Sequence, residues 1–210
     1  MTPDFYKNNA YWEGYVPHTV PLLLPPILET IERYGVKSVL DLGCGNGVFL
    51  RALVGKCETL VGIEPSETGI TQARKNCPQG KFYQLKLEDD PDLVQERDFD
   101  LAISTEVVEH LYFPRLLPRF ARRKLRPGGL LLVTTPYHGW LKNVAIAVLN
   151  KWDSHHSCLW DGGHIKFWSR ASLSELLRQE GFEVLRFYGV GRCLWLWQSM
   201  VLVARKVINE

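Results

Sequence analysis

Short apolar runs alternate with helical patterns of apolar residues along most of the chain. Five runs have the length and composition of buried parallel strands: 37–43, 59–64, 81–85, 98–105 and 130–136. Helical spacing is found over 22–35, 47–55, 66–77, 114–125 and 170–180. The runs at 182–188 and 194–207 predict a closing hairpin. This alternation predicts the α/β class with a mostly parallel sheet.

Individual residues mark the predicted ends of these elements. Pro25 and Pro26 fit the start of the first helix, and Gly35 fits its end. Ser66 and Ser169 are predicted N-caps, because a serine hydroxyl can accept a hydrogen bond from a free backbone amide. The sequence RPGG at 126–129 predicts a turn before the fifth strand.

Segment 137–168 departs from the alternation, and connections of this length in compact domains are usually functional. Within 140-WLKNVAIAVLNKW-152, apolar residues recur at helical spacing. They predict one apolar face made of Trp140, Val144, Ala147 and Val148. Such a helix fits a lid packed on its own domain, a segment lying in a membrane interface, or a dimer contact. The sequence leaves these three interpretations open.

Composition and charge narrow the class of protein. The 210 residues are 46% hydrophobic and 23% charged, which suits a single domain over 1–210 with an N-terminal cap segment at 1–35. The net charge of +2 does not indicate a general binder of polyanions. A basic stripe on one helix face could contact RNA or anionic lipid, or could simply be solvated: Arg115, Arg119, Arg122 and Arg126. No aromatic residues interleave with it, so a nucleic-acid partner is not favoured.

The cysteines and the first residues of the sequence predict the cellular compartment. The five cysteines include no CxxC pair, which favours reduced thiols. The first residues lack a basic start and an apolar stretch, so no signal peptide is predicted. The longest apolar run, 193–204, is too short to span a bilayer and predicts a buried strand pair. The expectation is a cytoplasmic protein, with peripheral membrane contact through 140–152 as an alternative.

The clearest chemical signal is the glycine loop 41-DLGCGNG-47, where a strand runs into a helix. Its GxGxG spacing differs from the GxGxxG of nicotinamide dehydrogenases. Asp41, if buried, would accept from loop amides, repel a pyrophosphate and tolerate the cation of a sulfonium cofactor. Glu64 ends the second strand, where a carboxylate can accept from both ribose hydroxyls. A dehydrogenase and a glycine turn without ligand are the alternatives.

Three stretches together resemble the class I S-adenosylmethionine-dependent methyltransferases: VLDLGCGNG at 39–47, VGIEPS at 61–66, and RPGG before LLLVTTP. The resemblance implies a Rossmann-like seven-stranded sheet with helices on both faces and an antiparallel last strand. It also implies contacts with S-adenosylmethionine from nine residues: Asp41, Gly43, Cys44, Gly45, Glu64, Pro65, Lys86, Leu87 and Ser104.

A second chemical signal is the motif 104-STEVVEHLYFP-114 after the fourth strand. Spacing i, i+3, i+4 would place Glu106, Glu109 and His110 on one face of a helix. Two carboxylates and an imidazole suit a divalent ion. Acidic residues are also favoured at a helix start by the helix dipole alone. His110 could equally be a packed histidine or a general base that works without metal.

The motif EVVEH resembles ubiquinone-pathway O-methyltransferases and the enzymes that methylate the 3′-terminal ribose of small RNAs. The resemblance implies that Glu106, Glu109, His110 and His164 bind Mg²⁺ or a similar ion. It implies that Glu109, His110 and His164 take part in catalysis. The predicted reaction is methylation of a hydroxyl on a small or lipophilic acceptor with neighbouring hydroxyls, since a divalent ion lowers a hydroxyl pKa. A metal-free methyltransferase for O, N or C centres, and a non-catalytic cofactor- or RNA-binding module, are the alternatives.

Two further groups of residues receive predictions. Tyr11, Trp12, Tyr15 and His18 either fold over the cofactor or acceptor pocket or belong to the core. His155 and His156 are predicted to lie near a loop tip and are not assigned as metal ligands.

Overall fold

The computed structural model describes residues 16–156 and 159–208. Its centre is one seven-stranded sheet with the order β3-β2-β1-β4-β5-β7-β6. The strands are β1 Ser38–Leu42, β2 Thr59–Ile63, β3 Lys81–Tyr83, β4 Phe99–Thr105, β5 Leu125–Pro136, β6 Phe182–Val190 and β7 Ser199–Lys206. The pairs among β1 to β5 are parallel, and β7 is antiparallel to both β5 and β6. The predicted sheet with an antiparallel last strand is confirmed.

Helices cover both faces of this sheet. They are α1 Val20–Tyr34, α2 Val48–Ala52, α3 Glu67–Asn76, α4 Leu116–Lys124, α5 Trp140–Val148, α6 Trp152–His156 and α7 Arg170–Gln179. Successive strand residues point to opposite faces. Leu40 therefore joins the apolar cluster that contains Phe120 of α4 and Leu177 of α7. Its neighbour Val39 joins the cluster that contains Ile27 of α1.

The predicted caps are mostly confirmed, but the predicted start of α1 is wrong. Gly35 ends α1 in the left-handed conformation at φ 61°, and both Ser66 and Ser169 accept hydrogen bonds as N-caps. Pro25 and Pro26 lie inside α1. The helix begins one turn earlier because the carbonyl of Thr19 accepts from the amides of the third and fourth residues after it.

Two predicted boundaries around the later strands are also wrong. The RPGG sequence lies inside β5, which begins at Leu125 directly after α4. The register between β4 and β5 is irregular between Phe99 and Leu101, and this irregularity accommodates Gly128 at φ 71°. The run 193–204 does not form a strand pair, because β7 begins only at Ser199. Leu194, near the start of that run, is exposed.

The arginines of the predicted basic stripe form ion pairs and hydrogen bonds within the molecule. Arg115 and Arg119 both form ion pairs with Glu180. Arg122 donates to the carbonyl of Gly181, and Arg126 pairs with Asp100. These contacts lie on an exposed face, as expected for solvated side chains, and contact with RNA or anionic lipid stays a prediction. Within the residues that the structure covers, no helix combines the length and apolar character needed to cross a bilayer.

Candidate active site

The glycine loop between β1 and α2 is close-packed and left-handed. Gly43, Gly45 and Gly47 have φ angles of 84°, 52° and 73°. A Cβ atom on Gly43 would come within 2.6 Å of a methyl group of Val107, which follows β4. Only glycine adopts this backbone at low cost in so little space. The loop therefore adjoins the turn that carries the Glu106–His110 motif.

Glu64 holds this loop in place from the end of β2. Its Oε2 accepts from the amide of Gly45 at 3.1 Å, and its Oε1 accepts from the amide of Ser66 at 2.9 Å. The amides of Gly43 and Cys44 donate to a carbonyl of β2 instead. Burial raises the pKa of the Glu64 carboxyl, and the two amides oppose this shift. Glu64 thus takes the loop-binding role that the sequence assigned to Asp41.

Asp41 is fully buried, and the expectation that it accepts from loop amides is wrong. Neither of its carboxyl oxygens has a hydrogen-bond partner among the described residues. Burial, and then the charge of Glu64, raise the pKa of Asp41 to about 8. A buried, unpaired carboxyl is costly, and a cation beside it removes that cost. The donor set therefore fits S-adenosylmethionine, which carries a sulfonium and an ammonium group.

The other predicted cofactor residues surround the loop in different ways. The hydroxyl of Ser104 donates to the carbonyl of Leu42 at 2.8 Å, which ties the ends of β4 and β1 together. Cys44 is buried, and Leu87 belongs to the apolar core. The amide of Lys86 donates to Asp89. The carbonyl of Pro65 accepts from a side chain that follows β3. Their contacts with a cofactor stay predictions.

The motif after β4 forms a turn, so the prediction that it forms a helical face is wrong. Glu106 has a left-handed φ of 54°, and the amide of His110 donates to the carbonyl of Val107 at 2.9 Å. The side chain of Glu106 accepts from the hydroxyl of Thr134 at 2.9 Å and from that of Ser199 at 3.3 Å. Burial raises its pKa to about 7. The side chain of Glu106 is therefore hydrogen-bonded to residues near the end of β5 and at the start of β7.

Three of the four predicted metal ligands come together: Glu109, His110 and His164. One ligand atom from each lies within 4.8 Å of the others, and no other such group occurs in the described part of the chain. Neither carboxylate oxygen of Glu109 meets hydrogen-bonding geometry with a described residue, although the Thr135 hydroxyl lies near enough to lower its pKa slightly. Burial, and then the charge of Glu106, nevertheless raise the pKa of Glu109 well above its usual value.

The two imidazoles of this group can each offer an unprotonated ring nitrogen to a metal ion. Nδ1 of His110 lies 2.9 Å from the carbonyl of Gly162 and 3.2 Å from that of Gly163. Because a carbonyl only accepts, Nδ1 carries the proton and Nε2 is free. Burial lowers the pKa of His110, and it lowers that of His164 to about 4. A buried unpaired carboxylate with two neutral imidazoles fits a divalent ion that keeps open positions.

The loop that carries His164 is fastened to the backbone of the motif. The carbonyl of Glu109 accepts from the amides of both Ile165 and Lys166 at 3.0 Å. The indole of Trp160 lies edge-on to the ring of His110, with centroids 5.6 Å apart. Local spacing contains no sign of these contacts, so sequence reasoning missed how the group is assembled.

A cavity of about 440 Å³ opens beside this group. All six histidines of the chain line it: His18, His110, His138, His155, His156 and His164. The prediction that placed His155 and His156 near a loop tip is wrong, because both lie in the wall of the cavity. His138 was not singled out from the sequence at all. Tyr11, Trp12 and Tyr15 lie outside the described residues.

Helix α5 carries a buried lysine toward this cavity. Lys142 is only 4% exposed and lines the cavity, whereas Trp140 is 74% exposed and Val148 is 78% exposed. The predicted apolar face therefore exists, but it points away from the protein. This orientation disfavours a lid that packs through its apolar face.

Comparison with known proteins agrees with the fold. A sequence profile described as a methyltransferase domain matches residues 12–186. A ubiquinone biosynthesis O-methyltransferase of Bradyrhizobium diazoefficiens is 30% identical over 152 residues, which cover 71% of this chain and 58% of that protein. The protein of the same name from Thiobacillus denitrificans is 30% identical over 168 residues, which cover 78% of this chain and 72% of that protein.

Solved structures share the architecture. Magnesium protoporphyrin IX methyltransferase from Synechocystis, solved with bound SAH, superposes with a TM-score of 0.66 at 18% identity. The superposition covers 93% of this chain and 90% of that one. Identity at this level is evidence of a shared fold.

Proposed function

Because this chain belongs to the methyltransferase domain family, we propose that it transfers a methyl group from S-adenosylmethionine to a hydroxyl oxygen of its acceptor, assisted by a divalent ion. The observation that carries the proposal is the convergence of Glu109, His110 and His164 beside the cavity. The contact between Gly43 and Val107 brings this group next to the glycine loop.

The loop and the buried carboxyl would hold the methyl donor. Glu64 fixes the course of the loop, so the glycine backbone can approach the ligand closely. Asp41 would take the charged form when a cation binds beside it, because its unpaired carboxyl is costly alone. Relatives named for ubiquinone biosynthesis and a neighbour with bound SAH support this donor.

The group at Glu109 would prepare the acceptor. A divalent ion, when bound, lowers the pKa of a coordinated hydroxyl. Glu109 would supply a carboxylate, and His110 and His164 would supply neutral nitrogens. The carbonyls of Gly162 and Gly163 keep the imidazole of His110 oriented, which limits the motion of the acceptor oxygen. Orientation matters because the sulfonium donor is already activated and needs mainly alignment.

The acceptor is proposed to be a molecule with neighbouring hydroxyls and an apolar part. Two adjacent oxygens would complete the positions that three protein ligands leave open. An exposed apolar side chain, Trp160, lies in the cavity wall, and the exposed Trp140 lies on the outer face of α5. They offer a surface for a lipophilic tail. The two relatives named for ubiquinone biosynthesis support the same class of acceptor.

One alternative has a specific observation in its favour. Oε1 of Glu109 lies 4.0 Å from Nε2 of His164, a separation that one bridging water would span, so the two side chains could share a proton through that water without a metal. Such a pair would act as a general base toward the acceptor hydroxyl.

The test is a methyl-transfer assay with labelled S-adenosylmethionine and a panel of diols and catechols, run with and without a chelator. Glu109→Gln is expected to lower activity by about 100-fold or more, since even outer-shell changes at metal sites cost 10–100-fold. The matched control is Glu175→Gln, at an exposed glutamate on α7. Full activity after chelation would overturn metal assistance and favour the general base.

A further inference from the structure

Part of the cavity wall carries two basic side chains that form no ion pair with a described residue. Lys142 is only 4% exposed. Its Nζ makes a single long hydrogen bond of 3.5 Å to the carbonyl of Gln198. Arg192 lines the same cavity and, within the described residues, has neither a hydrogen bond nor an ion pair. Both side chains are free to bind a ligand.

Three imidazoles lie beside these two cations. The ring centroids of His138, His155 and His156 are 5.0 to 5.6 Å apart. Nε2 of His156 is buried and has no partner among the residues described. Burial, and then the charge of Lys142, lower the pKa of His138 and of His155 to about 4. At neutral pH these rings are uncharged and can still donate hydrogen bonds.

The charges in this part of the cavity wall favour a bound anion over a second metal ion. A second metal ion would meet Lys142 and Arg192, and the described histidines here do not form a group with converging ligand atoms. The acid in the described cavity wall is Glu106, whose charge acts on Lys142. Its oxygens accept from Thr134 and Ser199, and burial raises its pKa to about 7, so it offsets the two cations only in part. Two unpaired cations with neutral donors around them are complementary to an oxyanion.

We propose that Lys142 and Arg192, with His138 and His155 beside them, form a subsite for an oxyanion of the acceptor, either a carboxylate or a phosphate monoester. This inference rests on the proposed function, because it names a further group on the same acceptor. A cavity of about 440 Å³ has room for a substituted ring that reaches both the Glu109 group and this subsite. The acceptor is then an anionic molecule with neighbouring hydroxyls.

Binding, measured separately from methyl transfer, tests the subsite even if no acceptor is methylated. Calorimetry on the protein saturated with S-adenosylhomocysteine would compare catechol with 3,4-dihydroxybenzoate, which differ by one carboxylate. The wild-type protein is expected to bind the carboxylate compound about 10- to 100-fold more tightly, the usual worth of a charged hydrogen bond. Inorganic phosphate, added as competitor, distinguishes the sources: displacement at low concentration indicates a phosphate ester, and weak displacement indicates a carboxylate.

Variants assign the preference to particular residues. Lys142→Met keeps the length and apolar stem of the side chain and is expected to reduce the carboxylate preference to about threefold or less. Arg192→Met serves as the second variant, because an exposed position tolerates the change even if Lys142→Met fails to fold. Lys151→Met, at an exposed lysine outside the cavity, is the matched control. Equal binding of the two compounds by the wild type, or an equal loss in Lys151→Met, would overturn the subsite.

Discussion

Nε2 of His164 lies 4.0 Å from Oε1 of Glu109, although the two residues stand at opposite ends of a long stretch of chain. The contact exists because the carbonyl of Glu109 accepts hydrogen bonds from the two residues that follow His164. The backbone of one candidate ligand thus positions the side chain of another. Any ion held here would therefore connect the turn after β4 to the loop before α7.

The separation of Glu106 from this group gives the first prediction. Glu109→Gln is expected to weaken Mn²⁺ binding by about 100-fold, because it removes a direct ligand. Glu106→Gln is the matched variant and is expected to weaken it by less than about threefold, since Thr134 and Ser199 already engage that side chain. Isothermal calorimetry with Mn²⁺ measures both. Equal losses in the two variants would return Glu106 to the ligand set.

The unpaired carboxyl of Asp41 gives the second prediction. Its pKa rises from 3.8 to about 8 in the folded protein, so between these values the native state holds a proton that the unfolded chain has lost. Stability should therefore fall as pH rises through this window. Asp41→Asn is expected to stabilise the donor-free protein on the order of 2 kcal/mol at pH 8 and to weaken donor binding.

Denaturant unfolding at pH 5 and pH 8, with calorimetry for S-adenosylhomocysteine, checks both parts. Asp153→Asn, at an exposed aspartate on α6, provides the comparison and should change neither quantity. Unchanged stability in Asp41→Asn at pH 8 would show that folding does not raise the pKa of Asp41.

The close approach of the glycine loop to Val107 gives the third prediction. In Gly43→Ala, the new methyl group would meet Val107 at 2.6 Å and φ would remain 84°. The expected loss of stability is about 2–4 kcal/mol, from backbone strain plus overpacking. Gly35→Ala has a similar φ of 61° but open space around its Cβ, so only about 1 kcal/mol should be lost there. Equal losses would show that backbone strain alone controls the loop.

The apolar outer face of α5 gives the fourth prediction. Peripheral membrane contact through 140–152 is proposed because Trp140 and Val148 are largely exposed. The double variant Trp140→Ser with Val148→Ser is expected to reduce co-sedimentation with phosphatidylcholine vesicles about tenfold. Leu93→Ser, at an exposed leucine far along the chain from α5, should leave it unchanged. The dimer interpretation would be favoured if the wild type does not bind vesicles but forms a dimer in size-exclusion chromatography, and the double variant loses that dimer.

The fold could be predicted because its signals are local. The β1 strand is recognisable from Val39, Leu40 and Leu42 within five residues, and the turn after it is recognisable from glycines that require positive φ. Ser169 was recognisable as an N-cap because its partner, Ser172, is three residues away. The prediction that Pro25 and Pro26 start α1 was wrong because the start of a helix depends on the turn that precedes it.

The candidate site could be predicted only in part, because residues far apart in sequence determine it. Glu109, His110 and His164 were identified, but one left-handed φ at Glu106 turns that side chain toward β5 and β7. Helical periodicity gave the apolar face of α5, yet periodicity cannot say which face a neighbouring element covers.

The sequence by itself determined the order of the elements, the glycine loop and the residue types that a methyltransferase domain needs, because each depends on neighbours within a few positions. Tertiary structure alone decided that Lys142 is buried while Trp140 is exposed, that Arg119 pairs with Glu180, and that every histidine faces one cavity. The physical reason is that burial and pairing depend on which segments meet in space. That meeting is set by the packing of the whole chain and not by the spacing of residues within one segment.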